Sequence, residues 1–296
     1  MEAMHDCKEK TRNQKHSIPW YSIIGFGIII IAEIVLFLNV PIINVYFTPL
    51  VWTGYIMVID GFVYHLSGKS WLKNRKIEFA LLCIFSIGFW LIFEAYNLRI
   101  QNWHYEGLPE SRLLRYIGYA WSFATIYPAI FETRDLLIAH KCCIWCRHLR
   151  IVISTPWRII MTFIGFLFLI IPLISPSPYH APLLWTGFVF FLEPINYWGR
   201  GQSLIRELSR GYWQNFWALF IAGIICGILW EFWNFWAVAK WIYMVPYPPN
   251  IKIFEMPLIG YLGFPAFALE CFVMYGTLVM VLSRMGIPPY GKDNEG

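Results

Sequence analysis

The segment Pro49-Leu50-Val51-Trp52-Thr53-Gly54-Tyr55 returns 133 residues later as Pro182-Leu183-Leu184-Trp185-Thr186-Gly187-Phe188. The echo extends to both sides of it. Pro19-Trp20 returns as Pro156-Trp157, Phe93-Glu94-Ala95-Tyr96-Asn97 as Trp230-Glu231-Phe232-Trp233-Asn234, and Ile117-Gly118-Tyr119 as Ile259-Gly260-Tyr261, at offsets of 137, 137 and 142. Four matches in one order, with the drift confined to loops, indicate an internal duplication.

The matching blocks lie in or beside apolar stretches long enough to cross a bilayer. Eight such stretches run over about 20–38, 49–66, 78–98, 114–137, 158–175, 183–198, 215–238 and 258–283. Backbone groups cannot stay unpaired in hydrocarbon, so all eight are expected to be helices. The expectation is an all-α, polytopic integral membrane protein with eight transmembrane helices arranged as two parallel four-helix repeats (4+4). An even number of spans per half returns the chain to the same side, which relates the halves by an axis along the membrane normal. The organisation then reads as a basic N-terminal segment 1–18, a first repeat 19–138, a basic linker 139–155, a second repeat 156–284 and a tail 285–296.

Composition agrees with a membrane protein and excludes other classes. Of 296 residues, 58% are hydrophobic and 14% charged, against about 25% charged in soluble domains. Mean hydropathy is +0.53. Disordered, collagen-like and ordinary cytosolic enzyme readings fail on these figures. The first apolar run is too long for a signal peptide, lacks a small-residue cleavage site and is interrupted by Glu33, so it reads as a retained anchor. With both termini cytoplasmic, 18 of the 23 Lys and Arg fall in inner segments and 5 in outer ones, as the positive-inside rule requires. The net charge of +5 is accounted for by the anionic inner leaflet, with no nucleic-acid partner implied. The expected location is the cell's inner or plasma membrane, with membrane lipids as neighbours.

Carboxylates at bilayer depth are costly and are functional candidates by default. The duplication pairs Asp60 with Glu193 and Glu94 with Glu231, and more loosely Glu132 with Glu270. Glu94 with Asn97, and Glu231 with Asn234, are spaced i, i+3 and share a helix face. Aromatic residues crowd both units: Tyr96 beside the first, and Trp230, Trp233 and Trp236 beside the second. Such a carboxyl suits a general acid, a proton carrier or a cation site, with aromatic faces able to stabilise a cation; the plainer reading is helix–helix hydrogen bonding. Asp60 and Glu193 are expected to face one another across the central axis. Glu132 is read as snorkelling near the inner end of its span.

In the outer loops, Asn102-Trp103-His104-Tyr105-Glu106 occupies the place of Lys240-Trp241-Ile242-Tyr243, as an interfacial aromatic belt would. His104 has no partner in the other half, so a symmetric metal site is not expected. Inner Gly68-Lys69-Ser70 aligns with Gly201-Gln202-Ser203, and the glycines read as helix C-caps. His140, Cys142, Cys143, Cys146 and His148 cluster in the linker; a zinc site is conceivable, but reduced, incidental cysteines fit better, and no cofactor is expected. Nucleotide-binding loops, dinucleotide fingerprints and metalloprotease or nucleophile-elbow motifs are absent. The two-halved lycopene cyclases also repeat helices bearing carboxylates. Their paired Pro-x-Glu-Glu type motif is absent here, however, and Glu193-Pro194 does not replace it.

The leading functional expectation is an enzyme acting on an isoprenoid or other lipid-soluble substrate by acid/base chemistry. Glu94 and Glu231 would be acid or base and Asn97 and Asn234 would orient them. Asp60 and Glu193 would hold a second charge, while Trp230, Trp233, Trp236, Tyr96 and His104 would bind substrate. The alternatives are a secondary transporter of a small cationic or proton-coupled solute and a non-catalytic scaffold or assembly factor.

Overall fold

A computed structural model of the chain describes residues 16–38, 40, 44–141, 149–244 and 251–287. The linker residues Cys142, Cys143, Cys146 and His148 lie outside the described residues, as do the N-terminal lysines. In chain order the helices are α1 (Trp20–Phe37), α2 (Phe47–Ser67), α3 (Trp71–Asn74), α4 (Lys76–Ile100), α5 (Arg112–Ala124) and α6 (Ile126–Ala139). They continue with α7 (Thr155–Ile174), α8 (Ala181–Trp198), α9 (Leu204–Ser209), α10 (Gln214–Trp236) and α11 (Gly263–Arg284). Four short strands complete the order: β1 (Trp103–Glu106), β2 (Lys240–Tyr243), β3 (Lys252–Ile253) and β4 (Met256–Pro257).

Six of these helices are long and apolar enough to span a bilayer: α1, α2, α4, α7, α10, and α11 with the 3-10 turn before it. They define an all-α integral membrane protein. The two remaining expected spans form helices of a different kind. Over 114–137 the chain divides at Thr125 into α5 and α6. Pro128 lies in the first turn of α6, where its missing N–H ends the helix ladder from α5. The second-half Pro265 likewise lies in the first turn of α11, preceded by the 3-10 turn Leu258–Leu262. Helix α8 has the length of a span, but Glu193, Pro194 and Asn196 lower its hydropathy, and all three are buried against protein.

Helices α1 and α7 pack on α2 and α8 and turn apolar side chains such as Phe26, Ile31, Phe163 and Ile174 outward, as lipid-facing helices do. The glycine of the repeated motif lies at both contacts. A Cβ at Gly54 would meet the Gly25 carbonyl at 2.6 Å, so close backbone approach depends on it, while one at Gly187 would meet the Leu169 side chain at 2.8 Å. Inside, α2 packs on α6 and α8 on α11, while α6 also packs on α10. Tyr127, Ile130, Leu219, Cys226 and Val273 are fully buried there.

The halves also meet in a ribbon. Strand β1 pairs antiparallel with β2, Trp103 opposite Tyr243 and Tyr105 opposite Trp241. Trp103 and Tyr105 are the repeat equivalents of Trp241 and Tyr243, so the pairing carries each residue onto its own equivalent's neighbour. A local two-fold axis therefore passes between His104 and Ile242, which face each other.

Candidate functional site

Beneath this ribbon, between the halves, lies a cavity of about 460 Å³, within the range of small-molecule sites. Aromatic side chains form a large share of its walls, among them Trp52, Trp90, Trp103, Tyr105, Trp185 and Trp230. These rings pack on one another at ordinary aromatic separations. Trp52 and Trp230 are 5.2 Å apart, Trp185 and Phe267 5.6 Å, and Trp230 and Phe267 6.0 Å. The tryptophan of the repeated Pro-Leu-x-Trp-Thr-Gly motif is thus a cavity wall in both halves.

Glu94 and Glu231 do not line this cavity; they stand behind its wall. The Tyr105 hydroxyl donates to Glu94 Oε1 at 2.5 Å, and the Tyr243 hydroxyl donates to Glu231 Oε1 at 2.9 Å. Trp90 Nε1 and Trp103 Nε1 also donate to Glu94 Oε1, at 2.9 and 3.2 Å. In the second half Trp241 Nε1 donates to the Tyr243 oxygen at 2.9 Å, and Glu231 Oε2 is buried without a partner. Burial, followed by the charge of Glu94, holds the Tyr105 phenol well above its ordinary value. Burial and Glu231 do the same for Tyr243. Both tyrosines are therefore neutral phenols at neutral pH, each joined to a carboxyl group on the side away from the cavity.

Asn97 and Asn234 do not orient the glutamates. Asn97 Oδ1 accepts from the N–H groups of Asn102 and Trp103 at 2.8 and 3.1 Å, and its Nδ2 donates to the Trp103 carbonyl at 2.8 Å. Asn234 brackets Trp241 in the same way, at 2.9 and 2.8 Å. An amide side chain presents a donor and an acceptor side by side, so it can hold a strand at the end of its helix. Each Glu-x-x-Asn unit thus has two outputs: the asparagine fixes the strand, and the glutamate receives the tyrosine that the strand carries.

Asp60 and Glu193 are not brought together. Each accepts bonds from the loop that follows its own helix. Asp60 takes the Ser70 hydroxyl and the Leu72 N–H, both at 2.8 Å, and also the Tyr21 hydroxyl. Glu193 takes the Ser203 hydroxyl at 2.5 Å and the Ile205 N–H at 2.8 Å. The spacing is the same in both, ten and twelve residues after the carboxylate. Ser70 and Ser203 in turn cap α3 and α9. The expected C-cap glycine is present at Gly68 (φ 73°), whereas in the second half Arg200 (φ 60°) takes the left-handed turn.

The remaining candidates divide. Trp230 lines the cavity; Trp233, Trp236 and Tyr96 do not. Trp233 packs against Trp52 and donates to Glu33 at 3.2 Å, and Tyr96 donates to the Leu169 carbonyl. Trp236 is exposed. His104 is exposed on the ribbon, 3.0 Å from Glu106. Glu132 does not snorkel: it is 1% exposed with both carboxyl oxygens unpartnered, and Glu270 is the same at 0%. Among the described residues no group of three or more His, Cys, Asp or Glu could hold a metal ion.

Sequence reading missed Tyr105 and Tyr243 as functional groups. Their repeat-matched Trp-x-Tyr spacing was the available signal, since alternate residues of a strand share a face. The fold and this chamber define the class: a helical, polytopic membrane protein with an aromatic cavity beneath a ribbon joining its halves. No protein-family model, curated protein or solved structure matches the chain.

Proposed function

We propose that the protein is an eight-span, two-repeat membrane enzyme, with cytoplasmic termini in the inner or plasma membrane, that acts on a lipid-soluble substrate of isoprenoid type by proton transfer. The single observation that carries this reading is the pair of Tyr–Glu couples, Tyr105 with Glu94 and Tyr243 with Glu231, entering one apolar cavity from opposite halves. A neutral phenol backed by a carboxyl group is a two-proton relay. When the phenol oxygen accepts a substrate proton, its own proton moves to the carboxylate; in reverse, a carboxylic acid reprotonates the tyrosine as the tyrosine protonates substrate. The phenol stays neutral in both directions and only the glutamate changes charge. The low-dielectric aromatic wall excludes competing water and its faces stabilise positive charge developing on the substrate.

The relay thus involves Tyr105, Tyr243, Glu94 and Glu231, while Trp52, Trp185 and Trp230 form the binding wall. Asn97 and Asn234 are positioning residues. Lipid extracts of cells with and without the gene, compared by mass spectrometry, should show a substrate accumulating and a product disappearing. The Tyr105→Phe, Tyr243→Phe double variant should reproduce the deletion, and an unchanged lipid profile in both would end the enzyme reading. A second reading, a proton-coupled transporter, is favoured by one observation: Glu132 and Glu270 are buried with unpartnered carboxyl groups on α6 and α11. Proton-dependent uptake into proteoliposomes, with no lipid change, would select it.

A further inference from the structure

The cavity is not the same on its two sides, and the repeat shows where the symmetry is broken. Thr48 of the first half corresponds to Ala181, at the 133-residue offset of its span. Ser122 and Thr125 correspond to Phe264 and Phe267, at the 142-residue offset of theirs. All six residues line the cavity. Three hydroxyl-bearing positions on one side therefore face a methyl group and two phenyl rings on the other. The cation Arg115 also lines the first side, and its repeat equivalent is Pro257.

Polar side chains on both sides bond to the protein. On the first side the Thr125 hydroxyl donates to the Ser122 carbonyl at 2.7 Å and Arg115 to the Pro109 carbonyl at 2.9 Å, and on the second side two more are engaged. The Thr186 hydroxyl donates to the Pro182 carbonyl at 2.8 Å, and the Lys240 ammonium is paired with Glu255 at 3.1 Å. On the first side two groups are unengaged. Thr48 Oγ1 and Trp52 Nε1 are both buried without a protein partner, and the two residues are one helical turn apart on α2, on one face. A buried donor left unsatisfied is costly. Both atoms belong to residues of one cavity wall but are themselves almost wholly buried, so an oxygen atom would satisfy them only with a small shift of these side chains.

We infer that the cavity takes an amphipathic lipid. Its oxygen-bearing head sits against Thr48, Trp52 and Ser122, and its apolar body lies against Trp185, Phe264 and Phe267. This rests on the cavity being the substrate site proposed above and narrows the substrate to an oxygenated lipid, as opposed to a pure hydrocarbon. It also orients the molecule: the head faces the first repeat and the hydrocarbon body faces the second.

The test uses the purified full chain in detergent, titrated by intrinsic tryptophan fluorescence with two probes, a long-chain prenyl alcohol and the hydrocarbon of the same skeleton. The alcohol should bind about tenfold more tightly, as one well-satisfied buried hydrogen bond provides. Thr48→Val with Ser122→Ala should abolish that preference without changing hydrocarbon affinity, because Val keeps the shape of Thr. Phe267→Ala should weaken both probes alike. Equal affinity for the two probes, or a preference that survives the double variant, overturns the inference and leaves the cavity as a purely apolar site. Failure of both probes to bind overturns the inference together with the substrate-site reading beneath it.

Discussion

Glu94 and Glu231 occupy the same place in the two repeats and are wired differently. Three donors converge on Glu94 Oε1, from Trp90, Trp103 and Tyr105, and the residue is only half-buried. Glu231 is 0% exposed, accepts from Tyr243 and leaves its second oxygen unpartnered. The cause is local and can be read in the residues. The equivalent of Trp90 is Gly227, where a Cβ would meet the Phe264 ring at 2.3 Å. The second half thus gives up an indole donor to admit the phenylalanine that makes its side of the cavity apolar. The loss of this indole, together with the Trp241 indole bonding to the Tyr243 oxygen where its equivalent Trp103 bonds to Glu94, leaves one anchored carboxyl group and one less constrained.

This difference makes Glu231 the better candidate for the group whose protonation changes in turnover. Glu231→Gln should therefore lower product formation in the lipid comparison by about 10²-fold or more, the scale of a lost general acid or base. Glu94→Gln should cost only about tenfold, below the 10²–10⁴-fold range of a lost general acid or base. A larger loss at Glu94 would reverse the assignment, and equal losses would mean that the halves remained functionally equivalent.

The positioning residues should affect stability first. Asn97→Ala removes three hydrogen bonds, two to Trp103 of the ribbon and one to Asn102 just before it, and Asn234→Ala removes two to Trp241. At roughly 1 kcal/mol per bond, unfolding in detergent should shift by about 3 and 2 kcal/mol respectively. An unchanged melting midpoint in either would show that the ribbon is held by strand pairing alone.

Trp90→Phe should have a smaller effect. It takes one donor from Glu94 while preserving an aromatic wall, so it makes the first couple resemble the second. Stability should fall by about 1 kcal/mol, read from the same melting curves, and activity should be nearly unchanged. A large activity loss would give the Trp90 indole a direct role toward substrate.

The smallest effect concerns pH. The phenols of Tyr105 and Tyr243 are raised in the folded protein, so the folded state keeps protons that the unfolded state releases. Their contribution is fully present below the ordinary tyrosine value of about 10 and is lost as pH rises above it. In a spectrophotometric titration of the folded protein, the double Tyr→Phe variant should lose no phenolate signal below about pH 10. A signal lost below that pH would mean that one of these phenols ionises in its ordinary range, and the neutral-relay picture would fail for that half.

Much of the fold was legible because bilayer thickness and helix geometry act on the sequence directly. Apolar length located the six helices long enough to span a bilayer, and the order of repeated blocks implied two parallel halves. The Glu-x-x-Asn units were legible as sites because i, i+3 spacing places both side chains on one helix face. Their roles were not legible, because the partners come from elsewhere in the chain: Trp103 for Asn97, Tyr105 for Glu94, Trp241 for Asn234 and Tyr243 for Glu231. Asp60 and Glu193 were misplaced for a related reason. A carboxylate inside a span suggests a central site, yet both bond to the serine ten residues onward once the loop folds back.

What the sequence alone determined is the class of object: a tryptophan-rich, duplicated, helical membrane protein with paired acidic groups. Those properties follow from hydrophobic length, period and self-similarity, each carried by residues close together in the chain. Only the tertiary structure decided that the acids stand behind a wall, that tyrosines from a shared ribbon cover them, and that the cavity has a polar and an apolar side. Each of these depends on which side chains from distant segments meet, and hydrophobic patterning leaves that choice open because packing and hydrogen-bond partnership are settled in three dimensions.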